Sequence, residues 1–71
     1  TIIEFALPEA SQVRLEIFNI LGQSVEVLVD ERLSAGIHQV TYEASNNPSG
    51  VYFYRLTHND GVETKKMTLL K

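Results

Sequence analysis

Cysteine and tryptophan are both missing from the 71 residues. Without thiols the chain has neither a disulfide staple nor a thiolate metal site. A chain of this length buries only about 60% of the surface that its unfolded form exposes, so modest stability is expected. Long apolar runs are missing too: none approaches the ~20 residues that a bilayer-spanning helix needs. Basic residues are few, six Lys and Arg against nine Asp and Glu, for a net charge of −3. That balance argues against nucleic acid as a partner, because phosphate backbones call for clustered Lys and Arg. The basic residues read as scattered, apart from Lys65, Lys66 and Lys71. That group is too sparse for a polybasic membrane anchor and reads as a solvated strand face. No charged-then-apolar leader stands at Thr1, and the chain opens almost inside a strand pattern, as expected of a piece cut from the end of something longer. No internal repeat or low-complexity linker interrupts residues 1–71, which read as one domain. The hydrophobic fraction of 44% is that of a folded chain.

Catalytic patterns are also missing. Nucleophilic catalysis needs a nucleophile beside a base that a third group orients. The serines at 11, 24, 34, 45 and 49 lie in or beside expected turns, with Ser24 at a strand start, and none sits in an elbow motif. His38 and His58 fall on different expected strands without an acidic partner at fixed spacing, and read as surface polar residues. The acidic residues read as exposed members of alternating strands. "NNPSG" and "NDG" have only a faint look of a calcium loop, and no glycine-rich phosphate loop occurs. So small a sandwich has little room for a pocket of ~300 Å³. The expectation is a protein that is not an enzyme, with no cofactor, metal or small-molecule substrate.

What the chain does have is period-two alternation almost throughout. Ile3, Phe5 and Leu7 share one face, as do Val13, Leu15 and Ile17. Val25, Val27 and Val29 share another, followed by Val40 with Tyr42, then Tyr52, Tyr54 and Leu56, and finally Met67 with Leu69. The runs are rich in β-branched and aromatic residues. Gly22 in "NILGQS" stands where a tight hairpin needs positive φ, and "NDG" at Asn59 to Gly61 is a strong hairpin signal. Gly36 in "LSAGIH" comes just before the fourth run, after an expected loop through Asp30, Glu31 and Arg32. The spacing predicts an all-β fold, a small antiparallel β-sandwich joined mostly by hairpins. Its expected core holds Phe5, Leu15, Ile17, Val27, Val40, Tyr52, Tyr54, Leu56 and Met67.

In "NNPSGVYFYRLT" a proline-fixed turn precedes three aromatics. Immunoglobulin-type sandwiches contain a corner at which an inward tyrosine bonds through its hydroxyl to backbone a few residues upstream. "PSGVYFY" resembles that corner, with Tyr52 as its tyrosine. A buried hydroxyl without a partner would cost about 1–3 kcal/mol, so tyrosine there implies a bond.

The whole chain resembles the C-terminal sorting domain of the type IX (Por) secretion system. The likeness runs from "TIIEFALPEASQVRLEIFNILGQSV" through "LSAGIHQVTYEASNNPSGVYFYRLT" to "ETKKMTLLK". It implies a small immunoglobulin-like sandwich at the end of a secreted cargo protein, in the periplasm in transit to the cell surface. It also implies an outer-membrane translocon as partner, and a sortase that commonly removes the domain. Recognition would lie in the final strand and tail, at Lys65, Lys66, Met67, Leu69, Leu70 and Lys71. Gly22, Gly36, Pro48, Gly50 and Tyr52 would be its fold signature. Alternation turns Leu70 outward if Met67 and Leu69 face the core, a handle beside Lys71.

A second reading is a structural or assembly module, similar to the immunoglobulin-like domain of the flagellar hook-capping protein. That domain usually carries tryptophan where Tyr42 stands, and a longer insertion before its Ser-Gly. A carbohydrate-binding module would want an exposed aromatic platform, for which only Phe18 and Phe53 come forward. The first and last runs read as edge strands through which copies of the chain would self-associate, opposed by Glu4, Pro8 and the lysines.

Overall fold

The computed structural model of the chain describes residues 1–43, 47–59 and 61–69. Six strands follow one another: β1 (Ile2–Leu7), β2 (Ser11–Phe18), β3 (Ser24–Leu33), β4 (Gly36–Thr41), β5 (Gly50–His58) and β6 (Gly61–Leu69). No helix occurs among the described residues. β1 and β4 form a two-stranded sheet, and β3-β2-β5-β6, in that order, form a four-stranded one. Every pairing is antiparallel. The two sheets pack face to face, so the all-β sandwich expected from alternation is the fold. In the four-stranded sheet β3 and β6 are edges, while β1 pairs with β4 alone.

Local turn chemistry sets the two hairpins. Asn19 N donates to Gln23 O at 3.0 Å and Gly22 N to Asn19 O at 3.0 Å. The Asn19 side-chain oxygen accepts from Leu21 N and Gln23 N, both at 3.0 Å. Gly22 then takes φ 81°, a left-handed conformation that a Cβ would strain. The β5–β6 hairpin turns between His58 and Gly61, which oppose each other. Ser11 pins this turn to β2: it is 2% exposed, and its hydroxyl accepts from Asn59 N at 2.9 Å.

β2 supplies the centre of the core, since Val13, Leu15 and Ile17 are each 0% exposed. Burying one such side chain is worth about 1.5–3 kcal/mol. Ile3, Phe5 and Leu7 of β1 cover them from the opposite sheet, with Tyr42, Tyr52, Leu56 and Leu69 completing the buried cluster. Val40, Tyr54 and Met67 are half-buried against it. Val27 departs from its expected place. It is 39% exposed, because the β2–β3 register shifts between Leu15 and Glu16. The shift inserts Leu28 between the residues opposite Leu15 and Glu16. Directly opposed residues point to the same face, so Val29 stays with Leu15 while Val27 joins Glu16 on the outer face. Asp30, Glu31 and Arg32 also differ from expectation: they belong to β3, and only Ser34 and Ala35 separate it from β4. His38 is half-buried rather than a plain surface residue, stacked on Phe5 with ring centroids 5.5 Å apart.

Both ends of the described chain reach one pole of the sandwich. Tyr42 N donates to Thr1 O at 2.8 Å, and the Tyr42 hydroxyl accepts from Asn47 Nδ2. Gly50, three residues further on, opposes Leu69 at the end of β6. The same pole holds the corner: the Tyr52 hydroxyl donates to Pro48 O at 2.8 Å, and Tyr52 is 6% exposed. This is the bond that the sequence implied. The remainder of "NNPSG", Asn46, lies outside the described residues.

Glu16 also departs from expectation, an acidic residue only 7% exposed. Ser24 Oγ donates to one carboxylate oxygen, while Arg14 Nε, at 3.3 Å, and Arg55, at 3.6 Å, face the other. The Ser24 bond is the main reason that its pKa lies below the ordinary 4.5; burial works against the shift, and the two arginines reinforce it. The fold therefore favours the carboxylate.

Two measurements check these features. Tyr52→Phe should lose about 1 kcal/mol, or roughly 4–8 °C in melting temperature, and Tyr52→Ala about 3–5 kcal/mol; a Tyr52→Ala melt within a few degrees of the parent would remove the corner from its structural role. For Glu16, a lowered folded pKa gives stability that is present above pH 4.5 and lost as pH falls from there through the folded value. Urea titrations from about pH 5 to about pH 3 should accordingly show a shallower loss for Glu16→Gln than for the parent.

Candidate recognition surface

β6 carries most of the residues in which the sequence placed recognition, and its register sorts them. Lys66 opposes Phe53 and Thr68 opposes Val51, on the outer face of the four-stranded sheet. Lys65 opposes Tyr54 on the other face, where it lines an open groove of about 290 Å³ with Glu4, Phe5, Ala6, Leu56 and Glu63. The two adjacent lysines therefore do not form one patch. Met67 opposes Tyr52 and is half-buried, and Leu69 is 3% exposed. A partner meeting the folded domain thus reaches Lys65 and Lys66, while Leu69 is occupied by the core. Leu70 and Lys71 lie outside the described residues.

The signature residues occupy turns and strand starts. Gly22 closes the β2–β3 hairpin; Gly36 begins β4 opposite Leu7, and Gly50 begins β5 opposite Leu69. Pro48 offers the carbonyl that Tyr52 holds. Around this corner runs an open groove of about 460 Å³, larger than so small a sandwich was expected to offer. Its walls include Ile20, Leu21, Val25, Pro48 and Val51. Ile20 and Leu21 are 71% and 79% exposed at the tip of the hairpin. Tyr42, below this region, is 2% exposed; burial pushes its hydroxyl pKa up, with the nearby Glu26 charge adding to the effect, so the phenol stays neutral.

The outer face of the four-stranded sheet was not anticipated as a unit. Across its strands the direct pairs are Phe18 with Phe53, Glu16 with Arg55, and Arg14 with both Asp30 and Thr57. The Arg55 guanidinium lies over the Phe18 ring, 4.7 Å from its centroid. Arg14 bonds Asp30 at 3.4 Å as well as Glu16. The β2–β3 hairpin brings Asp30 to Arg14, and the non-local β2–β5 register adds Phe53, Arg55 and Thr57, a meeting that no spacing in the sequence announces.

Among the described residues no group of three or more His, Asp or Glu has the geometry to hold a metal ion. The described residues present a strand edge at β6, a corner closed by the Tyr52–Pro48 bond and the outer face of the four-stranded sheet. No curated protein and no solved structure is significantly similar to the chain. A family model described as the secretion system C-terminal sorting domain matches residues 1–70, nearly the whole of the chain, the last strand included. With that match spanning all six strands, the chain belongs to the family of C-terminal sorting domains, the sorting signals of type IX secretion.

Proposed function

We propose that this domain stands at the end of a periplasmic cargo protein and is read, as a folded immunoglobulin-like unit, by an outer-membrane translocon. A sortase then removes it at the cell surface. The observation that carries the reading is that the match to the sorting family includes an edge strand, β6, with a free side. Such an edge presents unpaired N–H and C=O groups to which another chain can add a strand. Lys65 and Lys66 suit this role in two ways. Two copies pairing β6 to β6 would bring their lysines close, which like-charge repulsion opposes. A partner strand with acidic or neutral residues meets no such repulsion. Self-pairing through β1 meets only Glu4, and is the remaining route by which copies would join.

Fusion of the domain to a periplasmic reporter, in a bacterium that has this secretion system, should carry the reporter to the cell surface. Deleting residues 67–71 should stop export, but it also removes Met67 and Leu69 from the packed cluster. Leu70→Asp combined with Lys71→Asp avoids that confusion. Surface display of the doubly substituted, still folded fusion should fall to that of a reporter without the domain. Undiminished display would move recognition away from the tail.

A further inference from the structure

All three arginines of the chain, together with Lys66, lie on the outer face of the four-stranded sheet. Arg32 opposes the exposed Gln12, Arg14 opposes Asp30, Arg55 opposes Glu16, and Lys66 opposes Phe53. Among the described residues these four cations meet two acids there, Glu16 and Asp30. The remaining described surface carries one cation, Lys65, against Glu4, Glu9, Glu26, Glu31, Glu43 and Glu63. A chain of net charge −3 thus has one face of net positive charge.

We propose that this face is a docking surface for an acidic segment of a partner protein. Its composition is that of a protein interface, in which arginine and aromatic residues supply the anchors. Phe18 and Phe53 form a half-buried pair in the sheet, and Arg55 is stacked on one of them. Glu16 holds Arg14 and Arg55 in place, at 3.3 and 3.6 Å. Arginines fixed beforehand lose less freedom on binding, which favours a definite carboxylate pattern. Arg32 and Lys66 have no ion pair among the described residues, and their charge is open to a ligand. An anionic lipid surface is the poorer fit. It gains nothing from ordered arginines, and the half-buried Phe18 and Phe53 rings do not project to enter it.

The test is an NMR titration of the 71-residue chain with poly-L-glutamate as probe, beside an identical titration with phosphatidylglycerol vesicles. Poly-L-glutamate should shift the amide signals of Phe18, Phe53, Arg55 and Lys66, and raising the salt to about 500 mM should abolish the effect. Arg32→Glu with Lys66→Glu, both at exposed positions, should weaken binding about tenfold or more. Phe53→Ala should weaken it with no change in charge. Lys66→Glu alone should also weaken binding, whereas Lys65→Glu, the same charge change one residue away on the opposite face, should leave it near the parent value. Equal effects of Lys65→Glu and Lys66→Glu would show that net charge alone matters, and would overturn the proposal. So would absence of shifts on this face, or binding to the vesicles but not to poly-L-glutamate. None of these measurements involves export, so the tail and the sheet face stand or fall separately.

Discussion

The ladder from Arg14–Thr57 to Phe18–Phe53 joins two hairpins, each of which its own turn can set, into one sheet. Without it, β2–β3 and β5–β6 are isolated two-stranded ribbons, and such ribbons are marginal in water. With it, Leu15 lies against Leu56 and Ile17 against Tyr54 on the inner face, while Glu16 meets Arg55 on the outer. β2 is accordingly the strand whose two faces both matter. Its apolar face anchors the core, and its one buried acid organises the arginines behind it. The Ser11–Asn59 bond fastens the same two hairpins at the opposite end from the corner.

Much of the architecture was legible because its causes are local. Alternation marked the strands, and Gly22 and "NDG" marked the turns that connect them. The two-residue turn between His58 and Gly61 fixes the β5–β6 register directly, so Met67 follows Tyr52 and Lys66 follows Phe53. Tyr52 was readable too, since a tyrosine just after Pro-Ser-Gly needs a partner for its hydroxyl and Pro48 provides it.

The rest depended on pairings that no local signal encodes. Val27 was assigned to the core on a strict period of two, but the register shift after Leu15 turned it to the outer face. Glu16 looked like any solvated carboxylate, because Ser24 approaches it across a hairpin and Arg55 comes from 39 positions further along the chain. Arg14, Arg32 and Arg55 read as scattered, since nothing in their spacing says that three strands will bring them to one surface. Lys65 and Lys66 erred the other way: adjacent in sequence, they read as a cluster, although neighbours in a strand necessarily face opposite sides.

The meeting of both ends of the described chain at one pole has a steric consequence for any tethered arrangement. Thr1 is bonded to Tyr42, and Leu69 runs beside Gly50, so a protein joined ahead of Thr1 would stand next to the end of β6 rather than across the sandwich from it. Whatever grips the tail would then work in the shadow of that passenger. The connecting segment must be long enough to let a gripping partner in, and its length becomes a variable in how readily the tail is reached. The opposite pole, with the Asn59 turn and Ser11, stays clear of both.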